Sequence, residues 1–373
     1  MKKDIDNYIF KIIGTHSPGY VIDIHTSSND EEYVYGSLSK DSEDKVNSST
    51  LYDIASLTKT FTAVLVYKAI QDNLLKLEDN VYDIDNNFIN LKDIKIIDLL
   101  SHRQNIWTTS HLKEASSYED FYKILYTAYV KEKERTYVDL HYIILSTILE
   151  KIYGKSYKEL VFEYIKKPLK LDSLTFEPRT NNIACTNYEV LPNGIVNDNV
   201  LLGEVHDIKA RTAVKYGIYV GHAGIFINGK DLMCFLKSFL DYSILKKETI
   251  DMMIKHDDIN KINYELLLKL TDKDTTNNMF EKIKDTNPKV FLTYNYSSMR
   301  YRNDIEEYNE IPNMASNNSV YFSGYTGPSY LIDFDRKIII SVMCNVVNKN
   351  TLPRFERKKV TNDIIKFAYD NVI

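Results

Sequence analysis

The sequence predicts an α/β (α+β) fold in which an antiparallel β-sheet is flanked by helices and carries an inserted all-helical domain. Three observations lead there. Strand-like runs lie near both ends of the chain, at 20–25 and 33–37 and again at 318–324, 329–333 and 337–346. The middle, residues 75–200, reads as helices separated by turns. Helical patterns open and close the chain, at 2–13 and at about 355–371. Strands from both ends completing one sheet give the helices a common surface to cover. The expected division is a sheet domain of residues 1–74 with 205–373 and a mainly helical domain of residues 75–204.

The elements follow in order. Tyr20–His25 and Tyr33–Ser37 alternate in polarity across the turn-rich Ser27-Ser28-Asn29-Asp30, which reads as a strand pair. Leu51-Tyr52-Asp53 reads as loop. Beyond it, Leu57, Phe61, Val64 and Leu65 fall at i, i+4, i+7 and i+8, the spacing of a helix with an apolar stripe. Asp139 is placed to cap a helix over 140–152, with Gly154 as its stop. Ser156 and Glu159 form a capping box for a further helix, expected to end before Pro168. A helix near 230–241 precedes the last strands.

Composition narrows the function classes. With 373 residues the chain can bury a large core, and a charge of −5 gives no reason to expect nucleic acid. Lysine runs such as Lys131-Glu132-Lys133-Glu134-Arg135 read as a solvated face. No apolar run is long enough to span a membrane, and Lys11 interrupts the first one, so neither a span nor a secretory signal is expected. Cys185, Cys234 and Cys344 are odd in number and unpatterned, which points to a reducing compartment without a disulfide frame or zinc site. The expected location is cytoplasmic.

The chemistry-bearing stretch is Ile54-Ala55-Ser56-Leu57-Thr58-Lys59-Thr60. Serine and lysine three residues apart at a helix start share a face, so the amine can take the hydroxyl proton. The backbone N–H of Ser56 would then be free to help stabilise an oxyanion. Ser37, Ser42, Ser110 and Ser243 also precede a lysine by three, but only Ser56 opens a long helix. The pattern alone leaves Ser56 either a nucleophile or a helix cap.

Four further segments, taken with Ser56, resemble the serine hydrolases related to class C β-lactamases and penicillin-binding proteins. The resemblance runs from His16-Ser17-Pro18-Gly19-Tyr20 to the final helix. Tyr137-Val138-Asp139 matches the family's Tyr-x-Asn, with Asp139 where Asn is commoner. Leu99-Leu100-Ser101-His102 is similar to Leu-Leu-Thr-His, but Gln104-Asn105 stands in place of Ser-Gly, and His102 reads as a structural residue. Gly203-Glu204-Val205-His206-Asp207-Ile208-Lys209-Ala210 and Gly221-His222-Ala223-Gly224-Ile225-Phe226 closely resemble one subgroup; His206 and His222 read as framework rather than metal ligands. Tyr321 to Ser329 aligns with the strand bearing Lys-Thr-Gly or His-Thr-Gly, which puts Phe322-Ser323-Gly324 on that motif. The alternative register, Tyr325-Thr326-Gly327, fits the flanks less well, and either way the basic residue is missing.

The resemblance implies a β-lactamase/transpeptidase-like fold and an acyl-enzyme mechanism without cofactor or metal. Ser56 is implied as nucleophile and Lys59 with Tyr137 as proton shuttle. Asp139, Phe322, Ser323, Gly324 and Tyr325 are implied to bind or orient substrate, with the Ser56 and Tyr325 N–H groups as oxyanion donors. The expected substrate is a small or peptide-like ester or amide. Two other readings stay open: a penicillin-binding D-peptidase or β-lactamase, and a degenerate binding protein of the same fold, the latter motivated by Phe322.

Overall fold

A computed structural model describes residues 2–133, 135–190, 195–257, 295–301, 311–349, 352 and 354–372. Its main sheet has six antiparallel strands in the order β2-β1-β12-β11-β10-β9. The chain's first part supplies β1 (Gly19–His25) and β2 (Asp30–Gly36). The last part supplies β9 (Arg300–Tyr301), β10 (Ser319–Ser323), β11 (Ser329–Asp333) and β12 (Ile338–Cys344). The seam is β1 against β12, with Val21 opposite Met343 and Ile24 opposite Ile340. Sheet closure from both ends of the sequence matches the expectation.

The central strands β1, β12, β11 and β10 are buried on both faces, because successive side chains alternate between two apolar cores, whereas the edge strand β2 is partly exposed. Tyr20, Ile22, Leu331, Ile340 and Val342 point to one side, where Ile5, Ile9, Ile364, Ile365 and Tyr369 from the two terminal helices Lys2–Ile12 and Arg354–Val372 cover them. Val21, Phe322, Tyr330, Ile332 and Met343 point to the other side, into the larger core with the helices Thr58–Gln71 and Gly229–Asp241.

The Thr58–Gln71 helix lies deeper than the sequence suggests. Rather than one apolar stripe, every residue from Thr58 to Tyr67 is buried, with Ala69. It is sandwiched between the sheet, the helix Leu140–Tyr153 and the segment at Gly221. A Cβ on Gly221 would lie 2.6 Å from the Tyr142 carbonyl oxygen and 2.7 Å from Thr62 Oγ1, so only glycine lets the chain thread between those two helices. Thr62 Oγ1 donates to the Gly221 carbonyl at 2.6 Å, and the Gly221 N–H donates to Ser146 Oγ at 3.0 Å, which pins the thread.

Three sequence expectations are corrected. Tyr52–Asp53 is not loop but a short strand, β3, paired with β8 (Phe226–Ile227). Residues 75–200 are not mostly helical: β4 (Asn105–Trp107) pairs with β5 (Tyr129–Glu132), and β6 (Thr186–Val190) with β7 (Ile195–Leu201). These strands are short and carry Asn, Lys, Glu and Asp, so they lack the apolar alternation that marks a strand. The capping box at Ser156 and Glu159 is present, but its helix does not stop before Pro168. It continues through a π-turn at Phe162–Lys166 into Lys167–Leu169, where Pro168 sits near the start of a new turn and needs no N–H partner. Among the described residues no helix is long and apolar enough to cross a membrane.

The end of β10 meets the start of the Ser56 turn through Gly324. A Cβ there would sit 2.5 Å from the Ile54 carbonyl oxygen and 3.4 Å from the Ala55 Cβ. Gly324→Ala is therefore expected to force backbone against backbone and to cost about 1–3 kcal/mol, as overpacking does. Urea denaturation checks this; an unchanged midpoint would show that the two segments part without penalty.

Candidate active site

Ser56 lies in the short 3-10 turn Ala55–Leu57 that leads directly into the helix Thr58–Gln71. The turn is strained. Ala55, just before the serine, has a φ of 44°, left-handed for a residue with a Cβ. Asp53 holds it there. One carboxylate oxygen accepts the Ala55 N–H at 2.8 Å and the other accepts the His206 N–H at 2.7 Å. Thr326 Oγ1 donates to the Asp53 carbonyl at 2.7 Å, tying the turn to the loop after β10. Burial pushes the Asp53 carboxyl up to about 6, although both N–H bonds favour its charge.

Ser56 makes no side-chain cap for the helix that follows. Its Oγ instead accepts a hydrogen bond from Lys59 Nζ at 3.1 Å. Lys59 is fully buried, and its Nζ also donates to Asp139 Oδ1 at 2.8 Å and to the His222 carbonyl at 3.2 Å. These acceptors, with Tyr137 as a further hydrogen-bond partner, suit a group that only donates, so the resting arrangement is that of Lys59 charged. Burial pulls the amine toward neutrality, but Asp139 and then Tyr137 outweigh it and lift its pKa above the ordinary lysine range.

Tyr137 stands beside this amine, with Lys59 Nζ 4.8 Å from its ring centroid. Asp139 occupies the N-cap position of the helix Leu140–Tyr153, as the sequence predicts, but its carboxylate caps nothing and turns to Lys59. Burial alone would push the Asp139 carboxyl up; Lys59, His222 and Lys209 hold it below the usual carboxylate range.

Asp139 is one link of a longer ion-pair chain. Lys209 Nζ lies 3.0 Å from Asp139 Oδ2 and 2.9 Å from Asp207 Oδ2, and His222 Nε2 lies 2.9 Å from Asp207 Oδ1. Asp207 also caps its own helix, Ile208–Lys215, accepting the Lys209 and Ala210 N–H groups. Among the described residues, Asp139, Asp207 and His222 are the one group whose donor atoms approach as a metal site would, within 4.8 Å. The two ammonium groups already supply the cations there, which marks the cluster as an ion-pair chain.

The third motif lies beside the turn without a basic group. Phe322 is 3% exposed and packs in the core on the helix side of the sheet. Ser323 ends β10, half-buried, and Gly324 abuts Ile54. Tyr325 is half-buried with its ring stacked on His206, centroids 5.4 Å apart.

His102 is buried behind Tyr137, their ring centroids 4.6 Å apart. His102 Nδ1 meets His141 Nδ1 at 2.7 Å, and its Nε2 meets Ser298 Oγ at 2.7 Å. One Nδ1 must be a bare acceptor, so the two rings are not both imidazolium. Burial lowers both pKa values, His141 to about 3.

The sequence brings Ser56, Lys59, Tyr137 and Asp139 together but gives no role to Asp53, nor to Asp207 and Lys209, although both of the latter lie in the Gly203–Ala210 motif. Asp53 has a local signal, an aspartate two residues before the N–H it accepts. Asp207 shows itself as the cap of an amphipathic segment, whereas Lys209 has no local mark.

With this geometry in view, comparison with known proteins places the chain. A family model described as Beta-lactamase matches residues 12–361, and the chain belongs to that family. It is 25% identical over 245 residues to the N-acetylmuramyl-L-alanine amidase of Bacillus subtilis (strain 168), which covers 56% of this chain and 55% of that one. It is 26% identical over 131 residues to the teichoic acid D-alanine hydrolase of Staphylococcus aureus, covering 34% and 33%. The matches thus span about half and a third of these relatives. The octameric penicillin-binding protein homologue from Pyrococcus abyssi shares the fold, with a TM-score of 0.70 at 18% identity over 99% of this chain and 77% of that one. The family includes hydrolases, and the fold is the one its motifs imply.

The buried histidine pair gives a pH prediction. An unfolded imidazole titrates near 6.5. Folded His141 does so only at about 3, so below pH 6.5 the unfolded chain binds the extra proton. Stability is withdrawn as pH falls from 6.5 toward 3. His141→Asn should remove one such group and flatten the fall by up to about 1.4 kcal/mol per pH unit. Urea midpoints of both proteins from pH 7 to 4 check this; parallel curves would show that His141 is protonated in the fold.

Proposed function

We propose that the protein is a serine hydrolase that transfers the acyl group of an ester or amide to Ser56 and then to water. One observation carries the reading: the buried Lys59 ammonium donates at once to Ser56 Oγ, at 3.1 Å, and to Asp139, at 2.8 Å. A charged lysine buried against a serine side chain has no packing rationale and costs several kcal/mol to desolvate.

The roles follow from the chemistry. Ser56 Oγ attacks the carbonyl carbon as its proton passes to the Lys59–Tyr137 pair. The carbonyl oxygen becomes an oxyanion, for which the Ser56 and Tyr325 N–H groups are the donors we assign. Collapse breaks the bond to the leaving group, which takes the proton from the pair. Water repeats the sequence in the second half and frees Ser56. Asp139 keeps Lys59 aimed at Oγ. The division into a sheet domain, 1–74 with 205–373, and an inserted domain, 75–204, belongs to the same reading and is supported by the main-sheet strands all lying outside 75–204. The groups that act would then come from both parts, Ser56 and Lys59 from the first and Tyr137 and Asp139 from the second.

A fluorophosphonate probe should add one label, mapped to Ser56 by intact mass and peptide analysis, and Ser56→Ala should fold normally and take none. Label retained by Ser56→Ala would move the nucleophile elsewhere. An unlabelled native protein would favour the reading of a degenerate binding protein.

Phe322 bears on the acyl group. A cation beside a substrate carboxylate contributes about 1.5–3 kcal/mol. The ring at 322 supplies none, and an anion in the cleft would be partly desolvated. The native enzyme should therefore hydrolyse a neutral ester faster than its carboxylate-bearing match, roughly tenfold for each ~1.4 kcal/mol of carboxylate desolvation that no cation offsets. A preference for the charged ester would show that another cation meets the substrate, and would restore the penicillin-binding peptidase or β-lactamase reading.

A further inference from the structure

The Lys59–Tyr137 pair can accept the Ser56 proton only if it is already one proton short. What matters is the number of protons on the pair, not which of its two members carries them. The charge facing the pair therefore decides the pH at which the site works. Asp139, with one oxygen 2.8 Å from Lys59 Nζ, opposes proton loss. Its other oxygen is held by Lys209 at 3.0 Å.

We propose that Lys209 is a positioning residue for Ser56 activation: it neutralises Asp139 from the side away from Lys59, and so sets how readily the Lys59–Tyr137 pair gives up that one proton. This rests on the hydrolase reading above.

The geometry is specific. Lys209 is itself fixed by Asp207 Oδ2 at 2.9 Å, and Asp207 by His222 Nε2 at 2.9 Å. His222 closes the circuit, since its carbonyl accepts from Lys59 at 3.2 Å. Asp207 is further locked as the cap of the helix that bears Lys209. The other titratable or charged groups facing this circuit among the described residues include Tyr137 and the neutral pair His102 and His141 on the Lys59 side, and Asp53, His206 and Arg211 on the Asp207 side. Two lysines thus balance two aspartates. Without Lys209, two carboxylates would face a single ammonium and hold its proton more tightly. Lys209 and Asp139 keep about a quarter of their side-chain surface exposed, so the circuit reaches solvent rather than lying sealed in the core.

The test is the rate of fluorophosphonate labelling of Ser56 from pH 6 to about 12, a window that reaches past the ordinary lysine range in which the limb is expected. Lys209→Gln should move the acid limb up by about one pH unit, with roughly tenfold slower labelling at neutral pH and the alkaline plateau kept. Lys209→Arg should keep the native limb, and Asp139→Asn with Lys209→Gln should bring the limb back down. Asp207→Asn, which can still cap its helix, removes a negative charge and should move the limb to lower pH; it provides the reading if Lys209→Gln does not fold. A loss by the same factor at every pH, or an unmoved limb in Asp207→Asn, would overturn the proposal and leave Lys209 a structural residue. A native protein that takes no label overturns the hydrolase reading and this inference with it, whereas a labelled native protein with unmoved limbs overturns this inference alone.

Discussion

The burial of one ammonium group organises the molecule. Lys59 lies on a helix whose neighbouring residues are all buried, and a charge there is tolerated only with good partners on every proton. Each partner comes from a distant part of the chain. Asp139 arrives at the start of one helix, and the His222 carbonyl arrives on a strand of chain that passes between two helices because residue 221 has no side chain. Removing either partner would leave a buried charge short of an acceptor, which is far costlier than never having had one. The fold and the site are therefore one problem, since the packing that buries the core also delivers the ligands of Lys59.

A second constraint is the backbone before the serine. Ala55 adopts a left-handed conformation at a cost of order 1 kcal/mol or more, and such strain persists only where the surroundings over-determine it. Asp53 grips the turn from below through the Ala55 N–H, and Gly324 lies against the Ile54 carbonyl from the side. The same carboxylate accepts the His206 N–H, so the turn and the segment carrying Asp207 and Lys209 are positioned by one group. Strain at the serine and charge balance at the lysine are thus linked through Asp53.

What could be read from the sequence depended on distance along the chain. Ser56 and Lys59 share one helical turn, so their meeting is local and legible. Tyr137 and Asp139 became visible through motif resemblance, because nothing in residues 136–142 alone says what they face. The terminal strands are legible as short apolar, β-branched and aromatic runs, and they make the sheet. The β4–β5 and β6–β7 pairs did not show, since short polar strands at the surface need no alternation. The helix of Lys59 was read as having one apolar stripe, yet Thr58, Thr60 and Thr62 are buried too, with Thr60 meeting the Tyr330 hydroxyl at 2.8 Å and Thr62 that of Tyr157 at 2.6 Å. Threonines count as polar in a periodicity argument, but they bury freely once their hydroxyls find partners. Lys209 lies within the Gly203–Ala210 motif yet carries no role there, because its meaning lies in its approach to Asp139, far away along the chain.

Phe322 and Lys209 fit a single account of charge. Where relatives carry a basic residue on the third motif, this chain has a ring packed into the core, so that position offers substrate no cation. Among the described residues, Lys59 and Lys209 are cations beside the Ser56 network, and both are engaged, Lys59 by Asp139 and Lys209 by Asp139 and Asp207. Counted together, the two lysines and two aspartates carry no net charge. A carboxylate entering such a site would have to displace an existing ion pair to gain a partner, and the displaced aspartate would then be left half-buried and unpaired. A neutral acyl group meets no such exchange. The absence of a cation at 322 and the full engagement of the one at 209 therefore act in the same direction, toward substrates recognised by shape and apolar contact rather than by charge.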